Sequence, residues 1–502
     1  MKLRATMSAA VLAASSVAFG VVGLGTVDVG NDTIDYYKQA SDIVDTTPIG
    51  TITDDFETSR ELGMSPLAHV ETGPATDVQL QRRTVEREVD GVVVEEVQDI
   101  AVVGLSDLSD SFHGFEIIDV TDPADPVRIS RVECGEFHND VAVWRNIVAV
   151  GFDGGGHSCE PAVEALGIQN VPLGGSAVYL FDISDLAAPV AIAAFDGVNP
   201  ADALELTTGT HNLGIHPEGY LYFATAGFDA VEPDLGIVDL NDIEAGATMV
   251  AMRDISPLAV DGCHDLGFSF SGDTPMMVCP AIGNTFLWDI SEPMAPVEIA
   301  TIANPLINIH HGGRFTPDGT TVVLGDELAG AGAPSGCFAG GPVGAMFTYD
   351  LTVPQVPVPT GYVSAAESPG TIETCTSHFY NFVPNAEDRT LSMTGWYGGG
   401  MVMHDLTPIV ELPIASGGLV GAGPEVAHIE PTGAEMWNAY AWYGAVYGGS
   451  YTGSTGLYIA SLDGYTGTAD AELAPYCNDV GIVWGPWTDD WQSECRNPGD
   501  DA

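Results

Sequence analysis

From about residue 66 onward the chain is written in short runs of alternating apolar and polar residues, separated by Gly, Pro, Asp and Ser. A period of two over five to seven residues predicts β-strands, and long stretches of helical period are hard to find after the first thirty residues. One run, "GFEIIDVTDPADPVRIS" from Gly114, has an apolar strand closing on Asp119, a Thr-Asp-Pro turn and a second strand. Its form recurs as "VYLFDISDLAAPVAIA" from Val178, "GIVDLNDIEAGATMVA" from Gly236, "TFLWDISEPMAPVEIA" from Thr285, "MFTYDLTVPQVPVPT" from Met346 and "MVMHDLTPIVELPIA" from Met401. The closing aspartates are Asp119, Asp182, Asp239, Asp289, Asp350 and Asp405, 50 to 63 residues apart, and "GLYIASLDG" near Leu457 is a degenerate seventh copy.

That period is the length of a four-stranded propeller blade with long loops. The sequence therefore predicts an all-β fold, a seven-bladed β-propeller of four-stranded antiparallel blades over residues 66–463. The N-terminal strands close the ring against the final blade. The repeated Asp has a local task, since its carboxylate can accept backbone N–H groups of the turn that follows while Pro fixes the next residue. A calcium site on the "DVTDPADP" oxygens is the functional rival, and an ordered turn satisfies the same atoms.

The repeated strand-Asp-x-Ser/Thr-x-Pro pattern resembles the LVIVD repeat family of secreted and surface β-propellers of bacteria and archaea, over about Gly114 to Asp463. It departs from the family form at Gly236 to Val250, where the Pro is missing, and in the last copy. The resemblance implies a propeller at the cell surface or outside the cell. It supplies no general activity and no catalytic residues.

The flanks add three expectations. Residues 1–25, with Lys2 and Arg4 before an Ala/Ser/Gly-rich apolar run, read as a signal peptide or an uncleaved anchor, and no later segment is apolar for long enough to span a bilayer. Residues 26–65 read as an acidic linker or arm. Residues 464–502, with Cys477, Cys495 and three tryptophans, read as a disulfide-pinned flap, with carbohydrate binding by exposed Trp as the rival. The eight cysteines contain no C-x-x-C and fall as sequential neighbours, so the expected disulfides are Cys134–Cys159, Cys263–Cys279, Cys337–Cys375 and Cys477–Cys495.

Charge narrows the partners. Seventy acidic residues against 14 basic ones give a net charge of −56, which repels nucleic acid and anionic membranes. Broad cation binding is one reading of this surface and simple solubility in a salty environment the other; an unidentified ligand or extracellular partner and a monomeric propeller are the expectations for partners. No G-x-S-x-G, H-E-x-x-H, phosphate loop or dinucleotide fingerprint occurs.

A second repeat carries the candidate chemistry. A His opens the β-run that follows each repeated Asp: His138 in "FHNDVAV", His211 in "THNLGIHPEG", His264 in "CHDLGFSFSGD", His310 and His311 in "IHHGGRFTPDG", His378 in "SHFYNFVPNAE" and His428 in "AHIEPTGAEMW", with His69 a copy for the first blade. The innermost strand follows the crossing between blades, so one register position in every blade points to one place around the channel. Four histidines from successive blades, His211, His264, His310 and His378, are the foremost ligand candidates for one transition-metal ion, zinc, copper or iron. His311, His138, Asp265, Asp326 and Glu327 are secondary candidates, while His157, His216 and His404 read as loop or outer-strand residues. Two functions stay open: a secreted or cell-surface module that binds a ligand or partner, its histidines tying blades together, and a metal-dependent oxidoreductase-type enzyme with a His-ligated ion at the channel mouth.

Overall fold

The computed structural model describes residues 44–45, 56–89, 91–106, 114–133, 138–152, 178–195, 210–224, 234–241, 248–254, 263–272, 274–327, 344–365, 376–385, 389–410, 420–421, 425–463, 476–479 and 495. They form an all-β fold of antiparallel meanders, in each of which four strands pair in chain order. Ala75–Val89, Val92–Leu105, Gly114–Asp119 and Val127–Glu133 make one; Asn139–Trp144, Ile147–Phe152, Val178–Asp182 and Val190–Phe195 the next. Asn212–His216, Tyr220–Ala224, Asp234–Asp239 and Thr248–Asp254 follow, then Gly267–Ser269, Met276–Ala281, Asn284–Asp289 and Val297–Ile302. His310–Phe315, Thr321–Asp326, Met346–Asp350 and Val358–Val363 lead to Phe379–Phe382, Leu391–Gly395, Met401–Asp405 and Glu425–Pro431.

The last meander, Asn438–Trp442, Ala445–Gly453 and Gly456–Leu462, is completed by Met64–Val70 from the other end of the chain, paired antiparallel with Gly456–Leu462 from Met64↔Leu462 to Val70↔Leu457. The first strands of the meanders lie against one another around a centre. Asn438–Trp442 comes back against Ala75–Val89, giving a closed, propeller-like ring. Closure of this kind leaves no free sheet edge running through the core. Of the 26–65 arm, Thr58–Leu62 pairs outside Glu425–Pro431 and Val44–Asp45 pairs with Val127–Glu133, so both described pieces serve as added outer strands.

Inner strands are buried on both faces because each sheet is packed between two others: Asn139–Trp144 and Met276–Ala281 are buried at every position. The repeated aspartates end the third strand of their meanders. In all six the Oδ1 accepts the backbone N–H two residues on, from Thr121, Ser184, Asn241, Ser291, Thr352 and Thr407, at 2.6–3.0 Å. The turn fixes where the fourth strand begins, and the sheet register shifts by a bulge at that crossing in the meanders of Asp119, Asp182, Asp239, Asp289 and Asp350.

Two expected disulfides are present, Cys263–Cys279 and Cys477–Cys495. The other two pairs, Cys134–Cys159 and Cys337–Cys375, lie outside the described residues, as do the signal-peptide region, His157 and the C-terminal tryptophans. Among the described residues no helix is long and apolar enough to cross a membrane. From the C-terminal piece, Asn478 accepts the N–H groups of Phe270 and Ser271 and donates to the carbonyls of Thr316 and Pro317, while Asp479 accepts the N–H of Phe382. This short segment is buried against the ring and staples three neighbouring meanders.

Candidate metal centre

Five histidines stand at the entry to five consecutive first strands. His138, His211 and His378 immediately precede Asn139–Trp144, Asn212–His216 and Phe379–Phe382; His264 lies three residues before Gly267–Ser269; His311 is the second residue of His310–Phe315. Being in the same place on successive sheets, they meet. The ring centroids run His138 to His211 4.4 Å, His211 to His264 4.1 Å, His264 to His311 4.5 Å and His311 to His378 4.1 Å. Trp437, in front of Asn438–Trp442, closes the arc by lying 4.3 Å from His378 and 5.4 Å from His138.

The candidates separate on this geometry. His211, His264 and His378 are in the arc, and so are His138 and His311. His310 is not: its Nδ1 lies 2.8 Å from the Thr285 hydroxyl, toward the neighbouring sheet. Adjacent residues of a strand face opposite ways, so only one of His310 and His311 can reach the centre. A bulge between His311 and Gly313, with Gly312 at φ +41°, sets which one does. His428 and His69 are on fourth strands, Glu425–Pro431 and Met64–Val70, far from first-strand register; His428 pairs with Glu425 and His69 stacks on Tyr458 at 4.1 Å.

The carboxylates divide in the same way. Asp265 does not face the imidazoles with a free oxygen: Oδ2 accepts the Gly313 N–H and an Arg314 N–H, both at 3.0 Å, and Oδ1 accepts the Leu266 N–H. Asp326 is taken up by the N–H groups of Asn308, Ile309 and Gly344. Glu327 is the one that reaches the arc, its two oxygens 3.7 Å from His311 Nε2 and 3.8 Å from His378 Nε2, held there by the Tyr397 hydroxyl at 2.8 Å.

Two groups of donor atoms result. Ligand atoms of His211, His264 and His311 lie within 4.8 Å of one another, and so do those of His311, Glu327 and His378. Burial keeps His264, His311 and His378 neutral, which is the ligand form. It pushes His311 down to about 3, and it holds His264 and His378 well below the ordinary range with the neighbouring imidazoles adding to the effect. Burial likewise raises Glu327. The His378 tautomer is fixed, because its Nδ1–H donates to the Trp437 carbonyl at 2.7 Å and so leaves the Nε2 lone pair toward Glu327. Such a donor set can hold a transition-metal ion. Three imidazoles suit zinc or copper, and two imidazoles with a carboxylate suit non-haem iron.

The register was recoverable from sequence by one further comparison. Four residues after His211, His264, His311 and His378 stand Ile215, Phe268, Phe315 and Phe382, all buried apolar; four residues after His310 stands Arg314. Trp437 and Tyr397 carried no such mark, since neither belongs to a His-bearing repeat.

No family model and no curated protein matches the chain. Solved structures similar to it include a periplasmic gluconolactonase from Pseudomonas aeruginosa, 11% identical over 72% of this chain and 99% of that one with a TM-score of 0.44. Hydrazine synthase from Kuenenia stuttgartiensis is 13% identical over 78% and 97%, TM-score 0.45, and a hypothetical selenium-binding protein from Sulfolobus tokodaii is 12% identical over 75% and 80%, TM-score 0.42. Likeness of this degree carries no chemistry across to this chain.

Proposed function

We propose that this chain is an extracytoplasmic, seven-bladed propeller of the LVIVD-repeat type that binds a transition-metal ion through imidazoles at one mouth of its central channel and acts as a metal-dependent enzyme there. The observation that carries the reading is the convergence of half-buried His211 with buried, neutral His264 and His311, their ligand atoms within 4.8 Å. Histidines whose task was to tie neighbouring sheets would bond between them, as His310 does to Thr285. Two disulfides fit an oxidising compartment. Three protein ligands leave a coordination position for a small ligand, and the ion would there supply Lewis-acid or redox chemistry. Around it the chain's own residues have separate tasks: Trp437 and Tyr397 wall the site, and the Trp437 carbonyl orients His378.

The test is elemental analysis of protein purified without a His tag and desalted. At least one zinc, copper or iron per chain is expected in the wild type, most of it lost in His311→Ala and retained in His310→Ala. Protein that cannot be loaded with any of the three, or equal loading of both variants, leaves the ligand-binding-module reading in its place.

A further inference from the structure

Within the arc, His311 occupies a place no other histidine has. It is 1% exposed, and among the described residues neither ring nitrogen has a hydrogen-bond partner, although a neutral imidazole carries both an N–H to donate and a lone pair to fill. Leaving both unmet in a buried site is unfavourable, and the protein has not filled the gap with a polar neighbour as it has for His310 and His378. His311 is also the only residue common to the two donor groups. The His264 ring lies 4.5 Å from its ring and the His378 ring 4.1 Å, and the Glu327 carboxylate approaches its Nε2. The two groups differ in chemistry as well, one of three imidazoles and one that includes a carboxylate.

We infer that the site takes two metal ions bridged by the His311 ring, one held by His211 and His264 and the other by Glu327 and His378. This rests on the metal-binding reading and extends it from one ion to two. The Glu327 and His378 side uses Nε2 of His311, and the other ion takes Nδ1. Bridging requires the single N–H proton of His311 to leave to solvent, its place taken by the second cation; no electron changes hands. Glu327 brings one of the negative charges that two divalent ions in a buried site need, and Tyr397 keeps it aimed.

The experiment is a Zn2+ titration of the metal-free full-length protein, followed by desalting to strip ions held loosely by surface carboxylates, and metal counting. Two equivalents are expected in the wild type, one in Glu327→Gln and one in His264→Ala. Cu2+ loading reads the bridge directly: two copper ions joined through one imidazole couple magnetically, so the wild type should lose most of its cupric resonance at low temperature while Glu327→Gln gives the full signal of one isolated ion. One equivalent in the wild type overturns the two-ion inference and leaves the metal-binding reading intact; none overturns both. Two equivalents that survive Glu327→Gln, or two uncoupled copper signals in the wild type, also overturn it. The wild-type count needs no variant to fold.

Discussion

An imidazole buried without a cationic task is a latent acid sensor, and His216 and His404 are two of these away from the arc. His216 accepts the Glu218 N–H on its Nδ1 at 3.1 Å, a bond that only the neutral ring can make, and burial pushes it down to about 4. Burial pushes His404, whose Nε2 lies 3.2 Å from the Ser364 carbonyl, down to about 4 as well. Both folded values lie below the ordinary 6.5, so on acidification the unfolded chain takes up protons first. Stability is then whole above about pH 6.5 and is lost as the pH falls toward 4, by at most about 3 kcal/mol for each residue. The urea midpoint is expected to fall over that window, and His216→Asn, whose side-chain oxygen can accept the same N–H, should flatten the fall. An unchanged slope in the variant would show that His216 is not one of the groups responsible.

Around the inner ring the elements are joined by a device that repeats from sheet to sheet. A carboxylate or amide oxygen on one first strand, or just before it, accepts an N–H from the next: Asp77 from Val141, Asp140 from Leu213, Asp265 from Gly313 and Asn381 from Ala441. Each satisfies a backbone donor of the neighbouring first strand, and the Asn381 bond continues the short parallel pairing of Phe379–Phe382 with Asn438–Trp442. The Asp140 bond, at 2.6 Å, is the shortest of the four. Asp140→Ala should therefore cost about 1–3 kcal/mol in chemical denaturation by leaving the Leu213 N–H buried and unmet, and Asp140→Asn should recover most of it through the retained oxygen. Equal losses in the two variants would assign the effect to packing instead. This element was hidden in the sequence. "HND" reads as a turn when taken alone, because a donor on another strand 73 residues away in the chain has no local signature. The Asx turns at Asp119 to Asp405 were legible for the opposite reason, since donor and acceptor are two residues apart and recur with a period. The histidine arc fell between these cases. His138, His211, His264 and His378 are marked by a repeat, whereas the choice between His310 and His311 depends on a one-residue bulge, and His69 and His428 are misleading copies because they stand on fourth strands, away from the first strands that meet at the centre.

Over the whole molecule, several of the few basic residues among the described ones are held in ion pairs. Arg128 and Arg131 meet at the buried Glu116, Arg82 chelates Asp99 with two bonds of 2.8 Å, Arg314 pairs with Asp265, and Arg389 with Asp405. With 14 Lys and Arg against 70 Asp and Glu, positive charge is too scarce to offset the acidic surface. Folding gathers these carboxylates onto one compact body, so their mutual repulsion opposes the native state more than the expanded one. Dissolved salt screens exposed charges over about 10 Å at 0.1 M and 3 Å at 1 M, while the buried pairs feel it far less. The net effect of salt should thus be stabilising: the urea midpoint is expected to rise steadily from 0.05 to 1 M NaCl at pH 7. Most of the rise should come at the low end, where screening changes fastest with concentration, and matched sucrose should not reproduce that curve. A midpoint that stays flat or falls would mean that the ion pairs, not the acidic surface, dominate the electrostatics of the fold.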